Sequence, residues 1–167
     1  MAEKKEQFNF IEPEFREIVF PNLTRYADLI DPFFTISTVI EDTGAATAAN
    51  YGSFFIAPIS CEVIEMWEGH RVAGTDVGAV TLDIEKLVSG DALDSGVSVL
   101  QSTANLKGTI NTPQRVKAQD DVSGPLRRFL KPGDRLALKD SGTLTAVAHV
   151  TVTVLLRVLQ TQIDLTT

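Results

Sequence analysis

Apolar and polar residues alternate along most of the chain after residue 32, with the period of two that is typical of β-strands. The clearest stretch covers residues 145–158, where every even position is apolar and the odd positions are mostly polar. Residues 80–85 and 135–139 follow the same rule. Each stretch therefore predicts a strand with one buried face and one mostly solvated face.

The rest of this region predicts further short strands joined by turns. They are expected at residues 34–40, 53–57, 62–67, 97–101, 109–110 and beyond, and 114–118, with turns at 73–75, 89–90, 94–96, 131–134 and 140–142. The alternation slips where Val63 and Ile64 are adjacent, which predicts a β-bulge. Residues 83–88 and 122–130 are also compatible with short helices, and strand is the preferred interpretation of the first. Seven to nine strands predict an all-β, antiparallel, jelly-roll-like sandwich.

The first 32 residues have a different character. They contain four of the nine phenylalanines, and Phe33 and Phe34 follow directly, so six lie within the first 34 residues. They also contain Pro13, Pro21 and Pro32, and this proline spacing permits at most short helical turns. We therefore divide the chain into an extended N-terminal arm (1–32), a β-sandwich domain (33–160) and a C-terminal tail (161–167). Aromatic surface is costly to leave in water, so the arm must cover its own domain or bind a neighbour. The residues expected to bind a partner are Phe8, Phe10, Phe15 and Phe20.

Charge and hydropathy exclude several classes of partner. The chain has a formal net charge of -7, which disfavours binding to a nucleic-acid backbone. No apolar run approaches the roughly 20 residues of a membrane-spanning helix. The charged N-terminus is not followed by the apolar core of a signal peptide, and the single cysteine, Cys61, agrees with a reducing compartment. Synthesis in a cytoplasm is expected, with Cys61 buried in a strand.

The histidines and carboxylates do not form a recognisable catalytic or metal motif. His70 is expected in a turn, with a role in contacts as the alternative, and His149 on a solvated strand face. The pairs Glu62/Glu65 and Asp83/Glu85 resemble acid–base pairs, but carboxylates on a wet strand face are usually only solvated. Asp91 and Asp94 lack the full ligand pattern of a calcium loop, so a solvated hairpin tip is expected. We predict no enzyme activity, no metal and no cofactor.

Trp67 has two interpretations. A tryptophan within a strand is usually part of the core, which is the prediction here, whereas an exposed Trp67 would offer a flat surface on which a sugar stacks. The second interpretation would make residues 67–78 a recognition loop.

Several strand-and-turn segments together resemble a known group of proteins. They are residues 55–58, 73–87, 105–109, 132–138 and 142–148, the last running into the valine-rich strand. Over roughly residues 50–158 they resemble small virion structural proteins of tailed bacteriophages, a group that includes capsid decoration (cement) proteins and head-fibre or tail-associated β-domains. The segments carry no chemistry of their own, and the arm lies outside the resemblance.

The resemblance implies a virion protein on the outer capsid surface. Such a protein would bind the major capsid protein, often as a homotrimer at a symmetry axis, and would bridge and stabilise capsid subunits. The alternative is a head-fibre, tail or receptor-binding module that recognises a host surface glycan or protein. The acidic charge and the phenylalanine-rich arm are compatible with the first role.

Overall fold

The structure is a computed structural model, and it describes residues 32–42, 52–120, 127–144 and 146–159. These residues form ten β-strands and no helix, so none of them belongs to a helix long and apolar enough to cross a membrane. The strands are β1 (Phe33–Asp42), β2 (Ser53–Ile56), β3 (Cys61–Val72), β4 (Thr81–Leu87), β5 (Val97–Ser98), β6 (Ala104–Asn105), β7 (Gln114–Lys117), β8 (Phe129–Leu130), β9 (Arg135–Ser141) and β10 (Ala148–Val158).

The strands form two antiparallel sheets of five strands each. The first sheet has the order β1-β10-β3-β7, and β8 pairs with the start of β3. The second sheet has the order β2-β9-β4-β5, and β6 pairs with the start of β4. The chain crosses between the sheets repeatedly, because β1, β3, β7, β8 and β10 belong to the first and the others to the second. The predicted antiparallel β-sandwich is confirmed.

The core lies between the sheets and is built by the alternation seen in the sequence. β10 contributes Val150, Val152, Val154 and Leu156, each with no exposed surface. The second sheet faces them with one apolar set, which comprises Leu82, Ile84, Leu136 and Leu138. Cys61 is buried in this core at the start of β3, as predicted.

The predicted bulge lies in β3. Leu155 pairs with Glu65 and Leu156 pairs with Val63, so Ile64 is the additional residue. The bulge changes which positions of β3 face the core. Val63 faces inward before it and Met66 after it, because the register with β10 shifts by one residue at Ile64.

Three local predictions differ from the structure. Residues 109–110 are not a strand, because the chain turns at Asn105–Gly108, where the amide of Gly108 donates to the carbonyl of Asn105 at 3.0 Å. The second half of the helical alternative at 122–130 is wrong, since Phe129–Leu130 is a strand; residues 121–126 lie outside the described residues. Finally, the long last strand begins at Ala148 and not at residue 145.

The late start of β10 reverses the expected faces at its beginning. Ala146 has a positive φ of 69°, which ends the extended conformation there. As a result Val147 is fully buried, although its odd position placed it on the wet face, and Ala146 is exposed. The burial of Val147 therefore comes from its own core.

Candidate interaction surface

The candidate interaction surface lies on the outer face of the first sheet, among the described residues. Across this sheet, Ser37, Thr153, Trp67 and Arg115 stand opposite one another on β1, β10, β3 and β7. The next row contains Val39, Thr151 and Gly69. We call the solvent-facing side of these two rows the Trp67 surface.

Trp67 is 42% exposed at the centre of this surface. Its indole Nε1 donates a hydrogen bond to Glu65 Oε1 at 2.8 Å, and the guanidinium of Arg115 lies 5.7 Å from the ring centroid. The prediction that Trp67 belongs to the core is wrong. Because Ile64 is the extra residue of the bulge, Trp67 shares the outer face with Glu62 and Glu65, while Met66 faces inward.

Glu65 links Trp67 to Arg115. Its second oxygen, Oε2, accepts a hydrogen bond from Arg115 Nε at 2.6 Å and also contacts Arg115 Nη2. Burial is the largest single influence and raises the pKa of Glu65, but the hydrogen bonds from Arg115 and Trp67 and the nearby positive charges together hold it below its usual range. The ionised carboxylate therefore fixes both side chains in place near neutral pH.

A shallow groove of about 210 Å³ opens beside Trp67. It is lined by Trp67, Glu68, Gly69, Pro113, Thr151 and Thr153, and its walls are mainly apolar. Gly69 leaves this groove open, since a Cβ atom placed there would meet nothing within 4 Å. The groove is therefore shallow and mainly apolar, and it does not resemble an enclosed active-site cavity.

Of the four strand carboxylates expected to be solvated, Glu62, Glu65 and Glu85 are buried and Asp83 is half-buried. Glu62 is 1% exposed and lies between Arg157, which it contacts directly, and Arg128, whose Nε is 3.4 Å away. Glu85 is fully buried and accepts hydrogen bonds from two backbone amides of the loop after β4. Asp83 is half-buried, and burial raises its pKa despite a hydrogen bond from Ser98.

His70 was expected in a turn, and this prediction is wrong. β3 continues to Val72, and His70 is 2% exposed. Both His70 and Glu68 lie on the core-facing side of the strand. His70 Nδ1 lies 2.9 Å from Glu68 Oε1, and Nε2 lies 3.3 Å from the carbonyl oxygen of Gly108. Glu68 was missed in the sequence, although its position two residues after Met66 would have placed it on the inner face once the bulge was known.

The hydrogen-bond partners of His70 indicate where its ring hydrogens lie. The Gly108 carbonyl only accepts, so Nε2 carries a hydrogen, and a hydrogen must also lie between Nδ1 and Glu68 Oε1. Burial raises the pKa of Glu68 most strongly, while hydrogen bonds from His70 and Gln114 oppose that change. Gln114 at the start of β7 binds Glu68 of β3 and also bonds the backbone N–H and carbonyl of Asn105. The cluster therefore attaches both ends of the loop before β7 to β3.

The remaining candidate residues have structural surroundings. His149 is exposed, as predicted, and its Nδ1 lies 3.3 Å from Glu41 Oε2. Asp91 accepts a hydrogen bond from the Val88 amide at 3.0 Å, and Asp94 pairs with Lys139 at 3.0 Å. Within the described ranges, no three His, Cys, Asp or Glu residues stand close enough together to hold a metal ion.

The four phenylalanines predicted to bind a partner, Phe8, Phe10, Phe15 and Phe20, lie outside the described residues. The structure therefore leaves their assignment as a prediction. Two other exposed apolar residues lie on the outer face of β1, Phe33 and Val39, which are 48% and 50% exposed. Among the described strands, β1 pairs only with β10 and forms one edge of the first sheet.

Comparison with solved structures finds the same fold in phage capsids. A chain in the capsid structure of Ralstonia phage GP4 matches with a TM-score of 0.54 and 12% identity over 78% of this chain and 86% of that chain. A chain in the capsid asymmetric unit of cyanophage Pam1 matches with a TM-score of 0.50 and 13% identity over 77% and 86%. No protein-family model and no curated protein sequence matches. At these identities, what this chain shares with the two capsid chains is the fold.

Proposed function

We propose that this protein is a structural component of a tailed-bacteriophage virion, which binds the outside of the capsid as a decoration protein and bridges neighbouring capsid subunits. The observation that carries the proposal is the fold likeness to chains of two phage capsid structures, which extends over more than three quarters of this chain and 86% of each of those chains. The likeness thus concerns nearly the whole of each neighbour, as expected of proteins with a common architecture.

The buried polar groups support a structural role over a catalytic one. Glu62 and Glu65 contact arginines, Glu85 binds backbone amides, and Glu68 binds His70 and Gln114. All four carboxylates are occupied by groups that join one strand or loop to another. Such contacts hold the carboxylates in fixed positions and leave them little freedom for proton transfer to a substrate.

The partners follow from the same proposal. The major capsid protein is the principal partner, and the protein associates with itself as a homotrimer. Phe8, Phe10, Phe15 and Phe20 act as aromatic anchors that bind the capsid or a neighbouring subunit. The net charge of -7 suits an outward-facing position away from packaged DNA. The protein is made in the host cytoplasm and ends on the outer capsid surface.

Co-sedimentation with undecorated capsids of the phage that encodes the protein tests this role. Wild-type protein should sediment with the capsids, and a full-length variant with all four arm phenylalanines changed to serine should bind at least tenfold more weakly while retaining its β-sheet circular dichroism. Val77→Ser is the matched control, because Val77 is fully exposed in the sandwich and outside the Trp67 surface. Undiminished binding by the arm variant would remove the arm from the proposal.

A second candidate is a head-fibre, tail or receptor-binding module that recognises a host glycan or protein. It is favoured by the exposed Trp67, which offers an aromatic platform beside two threonines. A glycan array probed with wild-type protein and Trp67→Ala distinguishes the two roles. Glycan binding that Trp67→Ala abolishes, combined with no capsid binding, would favour the second candidate.

A further inference from the structure

We infer that the Trp67 groove receives a phenylalanine from the N-terminal arm of a neighbouring copy of this chain. The inference rests on the proposed role of the arm as a binding segment, and it adds the surface that the arm occupies. It is carried by three properties of the Trp67 surface, namely the shape of its groove, the fixed position of its aromatic ring, and its exposed charge.

The groove has the size and lining of a site for one apolar side chain. Trp67 and Pro113 supply apolar walls, and Gly69 supplies a floor with open space above it. Thr151 and Thr153 add methyl groups and hydroxyls along the β10 side. A mainly apolar lining suits a phenylalanine ring better than a sugar, which needs several hydrogen-bond partners. The only indole donor, Nε1, already binds Glu65.

Trp67 is held in position before any partner arrives. The bond from Nε1 to Glu65 and the guanidinium of Arg115 above the ring restrict both torsions of the side chain. A side chain that is already ordered loses little entropy on binding, which raises the affinity obtained from the same contact. Tryptophan and arginine are also the residue types most often found at the centre of strong protein interfaces.

The exposed charge of this surface is positive although the whole chain is acidic. The Arg115 side chain is 50% exposed, whereas the Glu65 side chain paired with it is 10% exposed. Lys117, next to Arg115 on the outer face of β7, is also exposed. Solvent therefore meets mainly the cations at this place, because the Glu65 carboxylate is largely buried. An acidic partner segment complements such a surface.

The arm contains a segment with the required chemistry. Residues 6–17 include four glutamates and one arginine, a net charge of -4 + 1 = -3, together with Phe8, Phe10 and Phe15. In a ring of identical subunits, each arm can occupy the groove of the next copy, so every arm and every groove is used. This heterologous arrangement agrees with the homotrimer of the proposed function.

Trp67 provides a direct measurement, because it is the only tryptophan in the chain. Full-length protein should be diluted from high micromolar to nanomolar concentration while its mass is followed by light scattering and its tryptophan emission by fluorescence. We expect the emission to shift to shorter wavelength as the mass increases, with the same midpoint for both. Phe8→Ser combined with Phe10→Ser and Phe15→Ser should weaken association by at least tenfold.

Gly69→Val tests the groove itself. A Cβ atom at Gly69 would meet nothing within 4 Å, and valine is well tolerated in a strand, so the variant should fold with its side chain over the floor of the groove. Gly78→Val is the matched control, because a Cβ at Gly78 also meets nothing within 4 Å and this glycine lies outside the Trp67 surface. We expect Gly69→Val to lose self-association by at least tenfold and Gly78→Val to retain it.

Several results would overturn the inference. Wild-type association by Gly69→Val would show that the arm does not use the groove. A monomer with concentration-independent emission would show that no neighbouring arm reaches Trp67, and short-wavelength emission from that monomer would place a segment of the same chain there. The capsid experiment remains separate: protein that binds capsids despite Gly69→Val contradicts only the groove, and protein that associates through the groove but ignores capsids contradicts only the virion role.

Discussion

Glu85 shows how single buried residues hold the loops of this sandwich. It lies on β4 with no exposed surface, and its two carboxylate oxygens accept hydrogen bonds from the amides of Asp94 and Gly96 at 2.7 and 2.9 Å. A buried carboxylate is stable only when its oxygens are satisfied, so Glu85 and the loop determine each other's positions. The sequence suggested a solvated strand residue here, because alternation alone does not show which loop covers a face.

Gly96→Ala should therefore destabilise the protein. The new Cβ would clash with the Lys86 carbonyl oxygen and approach the Glu85 carboxylate, which forces the loop away from its hydrogen bonds. We expect a loss of about 2–3 kcal/mol in the free energy of unfolding, measured by urea denaturation. Gly78→Ala is the control and should change stability by less than about 0.5 kcal/mol. Equal stability of the two variants would contradict the close packing at Gly96.

The buried pair Glu68 and His70 predicts a specific dependence on pH. Burial, the largest influence, raises the pKa of Glu68 above its value in the unfolded chain. A raised pKa contributes stability below the unfolded value, about 4.3, and that contribution is lost as the pH rises through the folded value. The stability of wild-type protein relative to Glu68→Gln should thus decrease with increasing pH, by at most about 1.4 kcal/mol per pH unit.

Urea unfolding of both proteins between pH 4 and pH 8 measures this difference. Glutamine is a suitable replacement because its amide can bond both His70 Nδ1 and Gln114 Nε2, so the contacts can be retained while the titrating carboxyl group of Glu68 is removed. A difference that stays constant across this range, or that grows in favour of the wild type at high pH, would contradict the assignment.

At the scale of elements, the strands were predictable where alternation is regular. The alternation identified β10, β4 and β9, and the adjacent Val63 and Ile64 predicted the bulge in β3. It did not locate the faces beyond the bulge, because one extra residue moves every later side chain to the opposite face. Trp67 was assigned to the core because strand tryptophans are usually buried, and the bulge is what places it on the outer face, where it creates the candidate site. His70 was assigned to a turn because the strand was expected to end at residue 67, whereas β3 continues to Val72.

The conformations of the beginning of β10 and of the loop before β7 could not be predicted from the sequence, for a different reason. Ala146 and His149 have positive φ values, which are uncommon outside glycine, so the local sequence does not predict them. The loop before β7 is fixed by the distant contact of Gln114 with Glu68. Such long-range contacts depend on the packed sheets and have no signature in a single segment.

The alternation of β10 gives a direct test at two neighbouring leucines. Leu156 is fully buried between the sheets, whereas Leu155 is half-buried on the outer face. Leu156→Ala should reduce the free energy of unfolding by about 2–5 kcal/mol, because it leaves a cavity in the core. Leu155→Ala should cost less than half as much in the same urea titration. A larger loss for Leu155→Ala would mean that the strand faces are assigned in reverse.

At the scale of the whole molecule, the proposed capsid role depends on a two-sheet sandwich whose strands are linked by side-chain contacts. The two sheets share one core, and the arginine–carboxylate contacts of Glu62 and Glu65 tie the strands of the first sheet together on its outer face. In the proposed role, these contacts would help the sandwich to hold neighbouring capsid subunits in fixed positions. The proposed contact between the Trp67 surface and another copy would strengthen that hold.

The most direct test of this account is electron cryo-microscopy of undecorated capsids of the phage that encodes the protein, mixed with the purified full-length chain. We predict ordered density for the sandwich on the outer capsid surface, as trimers at three-fold or quasi-three-fold positions, each bridging adjacent capsid subunits. Capsids that remain bare at micromolar protein concentration, or density confined to the tail or a fibre, would contradict the proposed function.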